Sequence, residues 1–214
     1  MADDGALPGR IQDDGDMRAA ILDYGAGNLH SLAKAVRSTG VEVIVTPDPP
    51  AALNADALFL PGVGAFGSAT AALLPHRDSI RTALNNGLPC LGICLGMQLL
   101  FETSEEGKGI GLEVIPGFVR RLDAARIPQI GWNTLENSAD ELISTSGLKS
   151  AYFANSYVCE PGDRSCVTSW ATHESDRFAA SVRVRNIVGV QFHPEKSSVA
   201  GCELIRAFLG EAAR

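Results

Sequence analysis

Leu88-Pro89-Cys90-Leu91-Gly92-Ile93-Cys94-Leu95-Gly96-Met97-Gln98-Leu99-Leu100-Phe101 is the stretch that decides the fold. An apolar segment of strand length leads into a cysteine with a glycine two positions to either side, and a second apolar segment follows. Strand, sharp turn and helix in that order form a nucleophile elbow, here with Cys where Ser is more familiar. Gly92 and Gly96 leave room for a strained turn at Cys94. Such a turn lifts the sulfur off the sheet edge and sets it at a helix N-terminus, where partial positive charge favours thiolate over thiol.

A nucleophile of this kind needs a base, and the chain offers one about a hundred residues later. Val188-Gly189-Val190-Gln191-Phe192 reads as a buried strand and ends in His193-Pro194-Glu195. His193 suits the base that takes the thiol proton, and Glu195 the group that fixes its tautomer and stabilises the imidazolium. Pro194 stiffens the turn so that both side chains face one site. Taken singly, a Cys between glycines is as readily a small core residue, and a His at a strand end a structural one. Their conjunction points to catalysis by Cys94, His193 and Glu195.

Outward from the elbow, strands and helices alternate through the first half. Arg18 to Asp23, Val41 to Val45, Ala57 to Leu60 and Leu88 to Ile93 read as strands, and Leu29 to Thr39, Phe66 to Leu74 and Arg77 to Asn86 as helices. The helix after Cys94 is expected to run to about Phe101. In the first of these helices Leu29, Leu32, Ala33 and Val36 recur at helical spacing, and Gly40 ends it. Strands joined by helices imply parallel pairing through right-handed crossovers. The second half is richer in strands: Gly117 to Leu122, Ile127 to Trp132, Ala151 to Val158, Cys166 to Thr172, Phe178 to Val184 and Ile187 to Phe192. A closing helix from about Ser198 carries Leu204, Ile205, Phe208 and Leu209 on one face. The expected architecture is α/β, a doubly wound, mostly parallel sheet with an antiparallel extension.

The 214 residues fit one domain with a sizeable core, and the 45% hydrophobic and 20% charged content is that of a globular protein. Residues 1 to 17 differ: five aspartates face Arg10 alone, so this segment carries −4 of the net −7 and leaves −3 for residues 18 to 214. It reads as a disordered acidic extension preceding the folded domain. The acidic balance and the lack of a basic stripe argue against nucleic acid as a partner. Apolar runs no longer than a strand argue against a membrane span, and no secretory signal is legible. Five cysteines without C-x-x-C spacing suggest neither a disulfide framework nor zinc, so a reducing cytoplasm is the expected compartment. Four scattered histidines predict no metal cluster, and no cofactor is expected. The turn Gly25-Ala26-Gly27-Asn28 falls short of a dinucleotide fingerprint, because Leu29-His30 follow in place of the further glycine.

Elbow and His-x-Glu together resemble the class I glutamine amidotransferases, glutaminases with a Cys-His-Glu triad. Asp23-Tyr24-Gly25-Ala26-Gly27-Asn28, Pro61-Gly62-Val63-Gly64, Pro128-Gln129-Ile130-Gly131-Trp132-Asn133 and Gln191-Phe192-His193-Pro194-Glu195-Lys196-Ser197 narrow the resemblance to the glutaminase subunits of imidazole glycerol phosphate synthase. It covers about residues 18 to 211. The resemblance implies hydrolysis of glutamine to glutamate and ammonia. It further implies delivery of the ammonia to a (β/α)8-barrel synthase subunit, in a heterodimer that makes imidazole glycerol phosphate and an aminoimidazole carboxamide ribotide for histidine biosynthesis.

Roles follow by motif. Leu95, just after the nucleophile, and Val63 are the candidates for the N–H donors to the oxyanion. Gly62 and Gly64 would let the loop peptide flip. Gln98, one helical turn beyond Cys94, and Glu106, Ser156 and Tyr157 match residues that bind the substrate glutamine; Glu106 matches the acid that receives its α-ammonium. Asn28, Trp132 and Lys196 match positions near the partner subunit. Asn155 stands where this family commonly has His. Other readings are the glutaminase of pyridoxal phosphate synthase, a non-catalytic binding subunit of the same fold, and a Cys-dependent peptidase or stress protein. The first carries Gly-Gly-Glu-Ser where this chain has Pro61-Gly62-Val63-Gly64, the intact triad residues argue against the second, and the third usually lacks the Gln-x-His-Pro-Glu end.

Overall fold

The computed structural model describes residues 17–25, 27 and 29–214. Apart from Met17, the acidic extension lies outside the described residues, and so does Asn28. From the N-terminal side the elements are β1 (Arg18–Leu22), α1 (Leu29–Arg37), β2 (Glu42–Thr46), α2 (Pro49–Leu53), β3 (Ala57–Leu60), α3 (Phe66–Leu73), α4 (Arg77–Asn85), β4 (Cys90–Ile93) and α5 (Leu95–Gln98). Then come β5 (Thr103–Ser104), β6 (Gly117–Arg121), β7 (Gln129–Thr134), α6 (Glu141–Ser146), β8 (Ser150–Asn155), β9 (Tyr157–Pro161), β10 (Val167–His173), β11 (Asp176–Val184), β12 (Ile187–Val190) and α7 (Ser198–Ala212).

A seven-stranded sheet, ordered β10-β11-β12-β4-β3-β1-β2, forms the centre. The pairs β1–β2, β1–β3, β3–β4 and β4–β12 are parallel, while β11 pairs antiparallel with both β12 and β10. The sheet is therefore the mostly parallel one with an antiparallel extension that the sequence implies. Side chains alternate across it and feed two cores. Ala19, Ile21, Phe59 and Leu91 pack with α1, α6 and α7 on one face; Ala20, Leu22, Leu58 and Leu60 pack with α2 to α5 on the other. Strands covered on both sides have to be apolar along their whole length, which is why they read as unbroken apolar runs. Leu204, Ile205, Phe208 and Leu209 of α7 are all buried, as their spacing predicts. Asp140 caps α6 through Leu142 N at 2.9 Å and takes Arg183 of β11 at 2.6 and 2.8 Å, tying this helix to the sheet.

Several elements depart from the sequence expectation. The stretch from Ala151 to Val158 is not one strand. β8 pairs with β7 in a two-stranded sheet, β9 pairs with β6 in a three-stranded one, and Ser156 lies between, its carbonyl accepting Leu122 N at 2.9 Å. Both halves are extended, so alternation of side chains gives no sign of the break. The elbow helix ends at Gln98, short of Phe101. Leu100 N and Phe101 N close onto residues three back, Met97 O and Gln98 O, at 3.1 Å each, and the segment ending at Ile115 takes the carbonyls of Leu99 and Leu100. The last strand ends at Val190, ahead of Gln191 and Phe192. α2 and α6, each under two turns, have too few residues to show a period.

Candidate active site

β4 and β12 are adjacent and parallel, with Ile93 opposite Val190, so their C-terminal ends open on the same edge of the sheet. That edge is where open α/β sheets place their sites. Cys94 follows β4 directly, and His193 lies three residues beyond the end of β12. Cys94 has φ 49° and ψ −103°, a left-handed conformation unusual for a residue with a Cβ. It is held there by Cys94 N donating to Val190 O at 2.7 Å and by Gln98 N donating to Cys94 O at 3.1 Å. The glycines have the purpose the motif suggests. A Cβ on Gly92 would come within 2.7 Å of Gly96 O, and one on Gly96 within 1.9 Å of Leu60 O.

The imidazole is pinned from one side. His193 Nδ1–H donates to Glu195 Oε1 at 2.9 Å, with both side chains buried. The backbone is fixed as well: His193 N donates to Tyr152 O at 2.8 Å, and Ser197 Oγ donates to His193 O at 2.6 Å. Nε2 is buried and closes no hydrogen bond. Burial pulls the imidazolium pKa down, but the nearby Cys94 and then the Glu195 carboxylate outweigh it, leaving the pKa raised from 6.5 to about 9. The carboxylate thus stands behind the ring, on the side away from Nε2.

The loop Pro61-Gly62-Val63-Gly64 runs against the elbow. A Cβ on Gly62 would meet Ile93 O at 2.2 Å and Cys94 Cβ at 2.9 Å, so only glycine fits. Gly64 has φ +136° and sits beside Leu95. A small cleft open to solvent lies between Gly27, Gly62, Val63, Ile93, His193 and Glu195. Leu95, as the first residue of α5, has no intrahelical acceptor for its N–H, as an oxyanion donor requires. The base of the loop is anchored by Tyr24, whose hydroxyl donates to Pro61 O. Burial, and then the nearby Cys90 and Cys94, push that phenol well above its usual 10, so it remains a donor.

The substrate-binding candidates divide. Gln98 Nε2 donates to Tyr157 O at 3.2 Å and to Gln191 Oε1 at 3.3 Å, so both its N–H groups are engaged within the protein. Gln191, fully buried, in turn donates from Nε2 to Cys94 Sγ at 3.4 Å. Asn155 Nδ2 joins at Tyr157 O, 3.1 Å away. Glu106 Oε2 accepts Phe66 N at 2.7 Å, at the start of α3 and just past Gly64. Ser156 is fixed through its carbonyl, between β8 and β9. Of the partner-face candidates, Trp132 is 56% exposed rather than a core residue; it stands opposite Tyr152, over whose ring Lys196 Nζ lies at 5.8 Å. Ile130, two residues along β7 on the same face, is 67% exposed. Sequence reasoning missed Gln191, Tyr24 and Ile130 as site residues. Only Ile130 left a readable signal, an apolar residue at period two from Trp132.

Among the described residues, no group of His, Cys, Asp and Glu is arranged to hold a metal, and no helix is long and apolar enough to cross a membrane.

A family model described as glutamine amidotransferase class-I matches residues 20–212. The chain belongs to the class I glutamine amidotransferases. Its curated relatives include the imidazole glycerol phosphate synthase subunit HisH of Methanothermobacter thermautotrophicus, 43% identical over 193 residues, covering 89% of this chain and 96% of that one. The HisH subunit of Moorella thermoacetica is 44% identical over 201 residues, covering 91% of this chain and 95% of that one. The chloroplastic imidazole glycerol phosphate synthase hisHF of Arabidopsis thaliana is 41% identical over an alignment of 215 residues, gaps included, covering 95% of this chain and 36% of that longer one. These matches place this amidotransferase among the HisH-type subunits. Solved structures of a glutamine amidotransferase (TM-score 0.72, 20% identity, 92% of this chain and 100% of that one) and of PurLQS from Thermotoga maritima (0.70, 18%, 92% and 99%) share the fold of this amidotransferase.

Proposed function

We propose that this chain is the glutaminase subunit of an imidazole glycerol phosphate synthase. In this reading it hydrolyses glutamine and passes the ammonia to a (β/α)8-barrel synthase subunit in histidine biosynthesis. The HisH relatives favour it over the pyridoxal phosphate alternative, and the fused hisHF chain of Arabidopsis thaliana is consistent with a stable pairing of two activities. One observation carries the chemistry: Cys94, in a left-handed turn at the end of β4, opens on the same sheet edge as His193, whose ring Glu195 holds through Nδ1.

The Cys94 thiolate attacks the side-chain amide carbon of glutamine. A C–S bond forms, and the carbonyl π pair moves to oxygen, where the N–H groups of Leu95 and Val63 receive it. When the intermediate collapses, the C–N bond breaks and His193 protonates the departing nitrogen, releasing ammonia. A water molecule then gives its proton to His193 and attacks the thioester. The C–S bond breaks, glutamate leaves and the thiolate is restored. Gly62 and Gly64 let the Val63 peptide turn its N–H toward the oxyanion, a rearrangement that the partner would favour. Glu106 and the Ser156–Tyr157 segment bind the α-ammonium and α-carboxylate. Because the Gln98 N–H groups are engaged, its remaining amide oxygen is what it offers to substrate. Trp132, Ile130 and Lys196 form the docking face, close to His193 through Tyr152. Five free cysteines suit a reducing cytoplasm.

The test is Cys94→Ala in the reconstituted two-subunit enzyme. Glutamine-driven synthesis should fall by a factor of at least about 10³, while synthesis driven by added ammonium salt persists. Equal loss of both, or retention of glutamine-driven turnover, contradicts the reading.

A further inference from the structure

The buried amides beside the nucleophile have a fixed polarity, and the main chain sets it. Tyr157 O is a carbonyl and only accepts, so Gln98 must turn its NH2 group toward it. The second N–H of the same group meets Gln191 at 3.3 Å, which obliges Gln191 to present its oxygen there. The Gln191 NH2 group is then left facing Cys94 Sγ at 3.4 Å, in a fully buried position. An amide reversed at either glutamine would set two donors or two acceptors against each other.

We propose that Gln191 is a catalytic residue: its N–H, aimed by Gln98 and the Tyr157 carbonyl, stabilises the Cys94 thiolate without adding charge. The inference rests on Cys94 being the nucleophile. Other titratable groups lie on the elements packed around the sulfur. His193 and Glu195 follow β12, Tyr24 follows β1, Cys159 lies on β9 and Cys90 on β4. Burial first of all keeps Tyr24, Cys159 and Cys90 neutral well past physiological pH. Among the described residues, the Gln191 amide is therefore the side-chain donor that bonds the sulfur, and His193 is the proton carrier on the same sheet edge. They divide the work. The imidazolium gives up its proton to the leaving nitrogen, whereas the amide keeps its proton throughout and holds the sulfur in one rotamer. It acts again when the thioester breaks and the thiolate re-forms.

Two measurements test this. In the wild-type protein, the Gln191 side-chain amide proton resonance should move with pH together with the ionisation of Cys94, read as the rate of Cys94 alkylation by iodoacetamide. In Gln191→Met and Gln191→Leu, which remain bulky and remove the donor without adding charge, the alkylation midpoint should rise by about one pH unit. kcat for glutamine at neutral pH should fall about tenfold, with KM within about a factor of two. Unchanged circular dichroism and melting temperature show that a variant is folded. A folded variant with wild-type midpoint and kcat, or a rise in KM alone, overturns the proposal. So does a Gln191 resonance that ignores the ionisation, and this wild-type readout decides even where both variants misfold. If instead iodoacetamide prefers another cysteine and Cys94→Ala keeps its glutaminase activity, it is the assignment of Cys94 itself that fails.

Discussion

At φ 49° and ψ −103°, Cys94 occupies backbone space that disfavours any side chain, at a cost on the order of 1–3 kcal/mol. The hydrogen bond to Val190 O and the glycines on either side hold it there, so the strain is borne by a rigid sheet edge. The turn sets the sulfur on the sheet edge where His193 also lies, and the charge of the imidazole responds to it. With a folded pKa of about 9 against 6.5, His193 stays protonated through neutral pH. The sign follows: a raised pKa stabilises the fold in full below 6.5, and that contribution fades as pH rises through about 9. Burial opposes the charge and Cys94 is the strongest influence that restores it. Cys94→Ala should therefore bring the His193 titration, followed by NMR at Cε1–H, down toward 6.5; a midpoint that stays near 9 would show that the sulfur is not its partner. Cys94, His193 and Glu195 stand out in the sequence because glycine spacing and His-x-Glu are local patterns. The amide relay does not, because Gln98, Tyr157 and Gln191 meet only once β9, β12 and α5 are in place.

At the scale of elements, the first half of the chain reads almost directly apart from the five-residue α2, since the inner strands are apolar and α1, α3 and α4 are long enough to show their period. β3 has the bounds its residues suggest, and β1, α1, β2, α3 and α4 differ by a residue or two. The second half misleads wherever a stretch of strand-like residues changes partners. β8 and β9 are contiguous but for Ser156, yet they belong to different sheets. The change at Ser156 is functional as well as architectural. β8 ends at Asn155 and β9 begins at Tyr157, and both residues feed the carbonyl that orients the amides. α5 is short for a related reason: just past its end, the carbonyls of Leu99 and Leu100 turn to the segment that ends at Ile115.

For the whole molecule, the central sheet brings two distant segments to one edge, and the small β7–β8 sheet stands beside that edge with apolar side chains facing outward. Ile130 and Trp132 are 67% and 56% exposed, side by side and next to the Lys196–Tyr152 pair. Tyr152 O receives His193 N, so a partner seated on this face bears on the base through one hydrogen bond. Replacing Ile130 and Trp132 together by Ala should weaken binding of the barrel subunit about tenfold or more in calorimetry, with the melting temperature of the isolated chain little changed. Unaltered affinity would move the docking face elsewhere.

The most direct trial of the account is covalent. A diazoketone analogue of glutamine, incubated with the two-subunit enzyme and followed by peptide mass analysis, should alkylate Cys94 alone among the five cysteines. Glutamine should protect against it, and His193→Asn should slow it sharply. Labelling of Cys90, Cys159, Cys166 or Cys202 in its place, or a Cys94 that remains unmodified while glutaminase activity is lost, would contradict the claim that this sulfur opens the amide.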